Sequence, residues 1–140
     1  MIPLARQAGL AFALVLAACS RGWVAPDIRM TDDTGTPWTL AAQRGKAVVI
    51  TFGFTHCADT CPATLAKLTH LVDALGSRSR GVEIAFVTID PVRDTPRALH
   101  AYLQRFNDGA AHVTGVTGSK AQTEAVERAY HVWAQRIPGR

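Results

Sequence analysis

Cys57 and Cys61 stand four residues apart in Phe52-Gly-Phe-Thr-His-Cys-Ala-Asp-Thr-Cys-Pro62, between an apolar run and a proline. On a tight turn or at a helix end, side chains so spaced lie roughly 5–6 Å apart at Cβ. That is near the range a disulfide or a shared metal ion requires. Pro62 suits the first turn of a helix. A helix starting there aims unpaired N–H groups and partial positive charge at the loop. A thiolate in that position is stabilised, which makes it a better ligand and a better nucleophile. Soft thiolates favour Cu(I) or zinc over hard cations. Zinc ordinarily takes four ligands, so two thiolates suit Cu(I) better, and a third donor is to be sought. The competing reading is a structural disulfide, a staple common in small exported domains. Spacing alone does not separate the two. Position favours function, because the pair lies between a buried strand and its following helix.

The remaining cysteine has a different context. Arg6 precedes an unbroken apolar and small-residue run from Gly9 to Ala18. The run is too short for a stable bilayer-spanning helix and fits a secretory signal. It ends Leu16-Ala-Ala-Cys19, which resembles a bacterial lipobox, a signal in which the cysteine is acylated and becomes the mature N-terminus. Residues 1–18 are then a lipoprotein signal peptide, 19–26 a tether and 27–140 the folded domain. Export implies an oxidising compartment. With Cys19 consumed by lipid, Cys57 and Cys61 are left as the pair.

At 140 residues, 48% hydrophobic and 19% charged, the chain is sized for one domain. Its formal charge of +4 is scattered, with no basic cluster, so no nucleic-acid partner is expected.

The elements that position the thiols follow from periodicity. Ile28–Met30 and Trp38–Leu40 flank an Asp/Gly-rich turn and read as a hairpin. Lys46 to Phe54 is a near-continuous apolar run, expected as a strand buried on both faces. Leu65, Leu68, Val72 and Leu75 recur at helical spacing from Pro62 until Gly76. Val82 to Ile89 is a second buried strand. Asp90-Pro-Val-Arg-Asp-Thr-Pro96 is a loop, with Asp94 or Thr95 placed to cap a helix from Pro96. That helix carries Ala98, Leu99, Tyr102, Leu103 and Phe106 on one face. His112 to Val116 is a short strand, and Ser119 caps a last helix bearing Val126, Ala129 and Tyr130. Strands alternating with helices give an α/β sandwich with parallel pairs.

These stretches together carry a resemblance. Phe52 to Pro62 resembles the signature of the SCO/SenC family of copper-binding, thioredoxin-like proteins. Asp90 to Pro96 is similar to a second family signature, and Val113–Ser119 followed by Val126–Val132 to the family's later region. Agreement runs in order over about residues 27–135. Ala58 departs, standing where the family usually has proline. The resemblance implies a thioredoxin-like fold with a central mixed sheet flanked by helices. It also implies a copper metallochaperone, or a thiol reductant, for the binuclear copper centre of cytochrome c oxidase. Expected partners are the oxidase copper subunit or another copper chaperone, at the periplasmic side of the bacterial inner membrane. The copper-binding cysteines map onto Cys57 and Cys61. The family's third ligand, a histidine in a Val-Asp-His-type motif of a later strand, has no counterpart before Arg140, so the C-terminal strands are expected to be missing.

Other polar residues have simpler readings. His56 adjoins Cys57, but neighbours along an extended strand point to opposite faces. His70, His100, His112 and His131 are expected on the surface. Asp90 and Asp94 fit loop and cap chemistry, and the Asp90 loop is expected beside the cysteine loop, where Asp90 could support the pair. Two alternatives to the metallochaperone stay open. One is a thiol–disulfide oxidoreductase or peroxidase-like protein, with Cys57 attacking and Cys61 resolving; the Cys-x-x-x-Cys spacing differs from the Cys-x-x-Cys of thioredoxin-type helices. The other is a truncated product with little activity.

Overall fold

The computed structural model describes residues 24–134; the expected signal segment, Cys19 and most of the expected tether lie outside them. Five strands form one mixed sheet: β1 (Arg29–Asp32), β2 (Pro37–Thr39), β3 (Ala47–Gly53), β4 (Val82–Thr88) and β5 (Val113–Thr117), in the order β2-β1-β5-β4-β3. β3, β4 and β5 are mutually parallel, while β1 runs antiparallel to both β2 and β5. Three α-helices flank them: α1 (Thr60–Asp73) between β3 and β4, α2 (Pro96–Leu103) between β4 and β5, and α3 (Lys120–Ala129) after β5.

The period-2 alternation of the strands divides the interior into two cores. Ile84 and Phe86 of β4 join Leu65 and Val72 of α1 and Leu99, Tyr102 and Leu103 of α2 on one face. Ala85 and Val87 point the other way, to Ile28, Met30, Trp38, Val116 and Val126 of α3. Burying a side chain such as Phe86 stabilises the fold by about 2–3 kcal/mol. The hairpin, the helical faces and the α/β order agree with the periodicity.

Two local expectations are corrected, and a choice between two caps is decided. β3 packs into both cores, Val49 into one and Val48, Ile50 and Phe52 into the other, but it is not fully buried. Among the described residues it pairs with β4 alone and is only half-buried along most of its length. A continuous apolar run marks a strand but not its number of neighbours. Second, α1 begins at Thr60, two residues before Pro62, so Cys61 belongs to its first turn. Proline is tolerated there because the first N–H groups of a helix have no partner within it. Third, Thr95 and not Asp94 caps α2, its hydroxyl accepting from the Ala98 N–H. Asp94 instead turns fully inward. Ser119 caps α3 as expected, in a reciprocal capping box with Gln122.

Parallel strands deliver their following loops to the same end of the sheet, where open α/β folds place their clefts. Here those loops are residues 54–59 after β3, 89–95 after β4 and 118–119 after β5. The cysteine loop and the Asp90–Pro96 loop thereby become neighbours.

Candidate metal centre

Cys57 lies in the loop, and Cys61 in the first turn of α1. The Cys61 backbone N–H donates to Cys57 Sγ at 3.3 Å, so the helix start holds the first sulfur directly. The Cys57 N–H in turn donates to the Phe54 carbonyl at 3.2 Å. Both cysteines are free thiols and half-buried. Cys61 packs against the core of α1 and α2. A Cβ added at Gly53 would stand 2.9 Å from Cys61 Sγ and 2.7 Å from a Phe86 ring carbon. Only a glycine ending β3 lets the thiol and the ring approach so closely.

The two thiols differ in acidity. Burial opposes ionisation of Cys57, but hydrogen bonds from the Cys61 thiol and from the N–H groups of Cys61, Asp59 and Thr60 outweigh it, and its pKa falls below the ordinary value. Deeper burial pushes Cys61 up to about 11. The hydrogen bond with Cys57 and the nearby Cys57 and Asp94 charges add to the rise, while the Phe54 N–H opposes it. In reduced, metal-free protein, iodoacetamide should therefore modify Cys57 first, with a pH midpoint below that of an ordinary thiol. Cys61 should react only in strongly alkaline solution. Peptide mapping across a pH series checks this; equal labelling at every pH would contradict it.

Asp94, expected from the sequence as a loop or cap residue, has a different role. Fully buried, its carboxylate accepts from the Thr55 N–H (3.0 Å), the Thr55 hydroxyl (2.6 Å) and the Thr88 hydroxyl (2.6 Å). Its carbonyl accepts from the Thr117 hydroxyl at 2.8 Å. Cysteine loop, β4 and β5 thus meet on one residue. The Thr55 hydroxyl also lies 3.0 Å from His56 Nδ1. Its single proton goes to Asp94, so in that contact the Thr55 oxygen accepts from His56 Nδ1. The recurrence of aspartate in Asp90-x-x-x-Asp94 was the one available signal.

Asp90 is buried and ion-paired with Arg93, and its N–H donates to the Thr88 hydroxyl at 2.9 Å. Asp90, Val92 and Arg93 share an open cleft of about 1050 Å³ with Phe54, His56 and Cys57; Lys120 and Glu127 of α3 line it too. The other four histidines are exposed. His100 pairs with Asp33 at 2.9 Å, and none joins the cysteines. Among the described residues no three metal-binding side chains gather in one place. The donor set among the described residues is two sulfurs, which fits low-coordinate Cu(I).

The SCO1/SenC family model matches residues 20–140. The chain belongs to the SCO1/SenC family. A SCO2-like protein of Rickettsia conorii is 35% identical to it over 113 residues, 81% of this chain and 54% of that protein. The chain spans about half the length of the curated relatives first matched. Bradyrhizobium japonicum ScoI, solved with copper bound, superposes with a TM-score of 0.76 at 33% identity over 83% of this SCO1/SenC chain and 72% of that one. Yeast Sco1 with copper bound gives 0.70 at 31% identity, covering 79% and 70%. The five-stranded mixed sheet and its flanking helices are the thioredoxin-like fold of the SCO1/SenC family.

Proposed function

We propose that this chain is a copper-binding protein of cytochrome c oxidase assembly, with Cys57 and Cys61 holding Cu(I) as cargo. The observation that carries the reading is the seating of both cysteines at one helix start, with the Cys61 N–H on Cys57 Sγ and Cys57 lining an open cleft. Copper-bound relatives of the same fold support it. Hydrogen bonds from the helix start favour the Cys57 thiolate, the form that binds soft metals. The cleft beside it gives a partner access to the cargo. The partner would be the copper subunit of the oxidase or another copper chaperone.

Placement follows the N-terminal sequence. Residues 1–18 would direct export, Cys19 would carry lipid, and residues 19–26 would tether the domain at the periplasmic side of the bacterial inner membrane. The Tyr130 hydroxyl donates to the Pro26 carbonyl at 2.6 Å, which ties the tether's end to the folded body.

The difference in acidity between the two thiols favours a second reading, a thiol reductant serving the same copper centre. Cys57, with the lowered pKa, would attack, and Cys61 would resolve the mixed disulfide. The test of the first reading is selectivity. Reduced protein should take up one Cu(I) per chain and bind Cu(II) weakly, because two thiolates form a soft, low-coordinate set. Equal affinity for both ions in chelator competition would count against it.

A further inference from the structure

We propose that Asp94 is a positioning residue of the thiol centre, fixing the geometry in which Cys57 and Cys61 meet by fastening Thr55 to the ends of β4 and β5. This rests on the reading that the two cysteines are the functional pair. The loop from Phe54 to Asp59 has no regular structure of its own. Thr55, two residues before Cys57, is fastened at both its N–H and its hydroxyl, each to a different oxygen of Asp94.

The carboxylate is held rigid in turn. Thr88 Oγ1 donates to it, Thr117 Oγ1 donates to its carbonyl, and its own N–H donates to the Asp90 carbonyl at 2.9 Å. Helix α2 does not need Asp94, since Thr95 supplies the cap. The carboxylate has no salt-bridge partner among the described residues, and neutral donors alone satisfy it. Burying a carboxylate is unfavourable unless such donors are in place. Each of the three donors is therefore held to one position, and one of them belongs to the cysteine loop. The same chain reaches the cleft twice: Thr55 orients His56 through Nδ1, and Thr88 holds the Asp90 N–H.

The experiment uses the glutathione equilibrium of the full chain without metal. The two protein thiols reduce one oxidised glutathione. The Cys57–Cys61 bond forms, the glutathione disulfide breaks, and the two thiol protons end on two reduced glutathione molecules. The equilibrium constant reports the effective concentration of one thiol at the other. Asp94→Asn should lower it about 10-fold, the scale of losing a hydrogen bond to a charged group. Thr55→Val, which removes the hydroxyl and leaves Asp94 buried with its other donors, should lower it in the same direction. Thr55→Ser, which restores the hydroxyl, should return it to within about twofold of wild type.

Folded Asp94→Asn and Thr55→Val proteins with the wild-type constant would overturn the proposal. So would a fall in their unfolding midpoints with the constant unmoved, the signature of a merely structural role. If Asp94→Asn fails to fold, the Thr55→Val and Thr55→Ser pair decides the matter. Failure of the wild type to bind Cu(I) counts against the copper reading alone, because this equilibrium contains no metal.

Discussion

Replacing Cys57 or Cys61 with serine should lower the Cu(I) affinity of the reduced protein by more than about 100-fold, beyond the loss typical of changes around a metal's ligands. A serine hydroxyl is a hard donor that stays protonated at neutral pH, so the substitution removes a soft anionic ligand and leaves nothing equivalent. Because the local site offers two sulfurs, neither substitution leaves a workable donor set. The Cys57→Ser, Cys61→Ser double variant should therefore be little weaker than either single variant, the non-additivity expected of groups that act as a unit. Competition with a Cu(I)-selective chelator measures all three. The fold should persist in each, since Cys57 sits at the cleft rim and Cys61 only flanks the core. Undiminished affinity in the Cys57→Ser variant would remove the pair from the metal site.

Gly53→Ala should destabilise the protein by about 1–3 kcal/mol, the range for overfilling a packed interior. The backbone at Gly53 does not itself demand glycine; the obstacle is space. The added methyl would meet Phe86 at 2.7 Å, and that ring is 1% exposed and packed against Tyr102 at 5.9 Å between centroids. Neither ring nor strand can yield cheaply, because Gly53 also pairs with Thr88 and accepts from the Ile89 N–H at 2.9 Å. The other neighbour, Cys61 Sγ at 2.9 Å, can turn away, so the variant should also weaken Cu(I) binding. Urea denaturation should show a lower midpoint with an unchanged slope. A wild-type midpoint would mean that the strand end is less crowded than the geometry indicates.

The architecture was legible in the sequence because each element carries its own period. The alternation around the Asp/Gly turn, the helical spacing of Leu65, Leu68 and Val72, and the apolar β4 run each report a local preference. The Cys57–Cys61 loop was legible for the same reason, through the strand, Pro62 and the spacing of its thiols. What stayed hidden depends on contacts between distant segments. β3 reads as a fully buried strand because an apolar run does not count its neighbours. Asp94 reads as one of two candidate caps, beside Thr95, because aspartate is a common cap; its inward turn depends on Thr55, Thr88 and Thr117, which lie 39, 6 and 23 residues away. Gly53 looks like one member of an apolar run until Phe86 and Cys61 are placed around it. The lipobox resemblance at Cys19 rests on sequence alone and lies outside the described residues.

The most direct measurement is X-ray absorption at the copper edge of the Cu(I)-loaded full chain. The two-thiolate account predicts a first coordination shell with two sulfur scatterers, falling to one or none in the Cys57→Ser variant. A shell of nitrogen and oxygen alone, unchanged by that substitution, would contradict it.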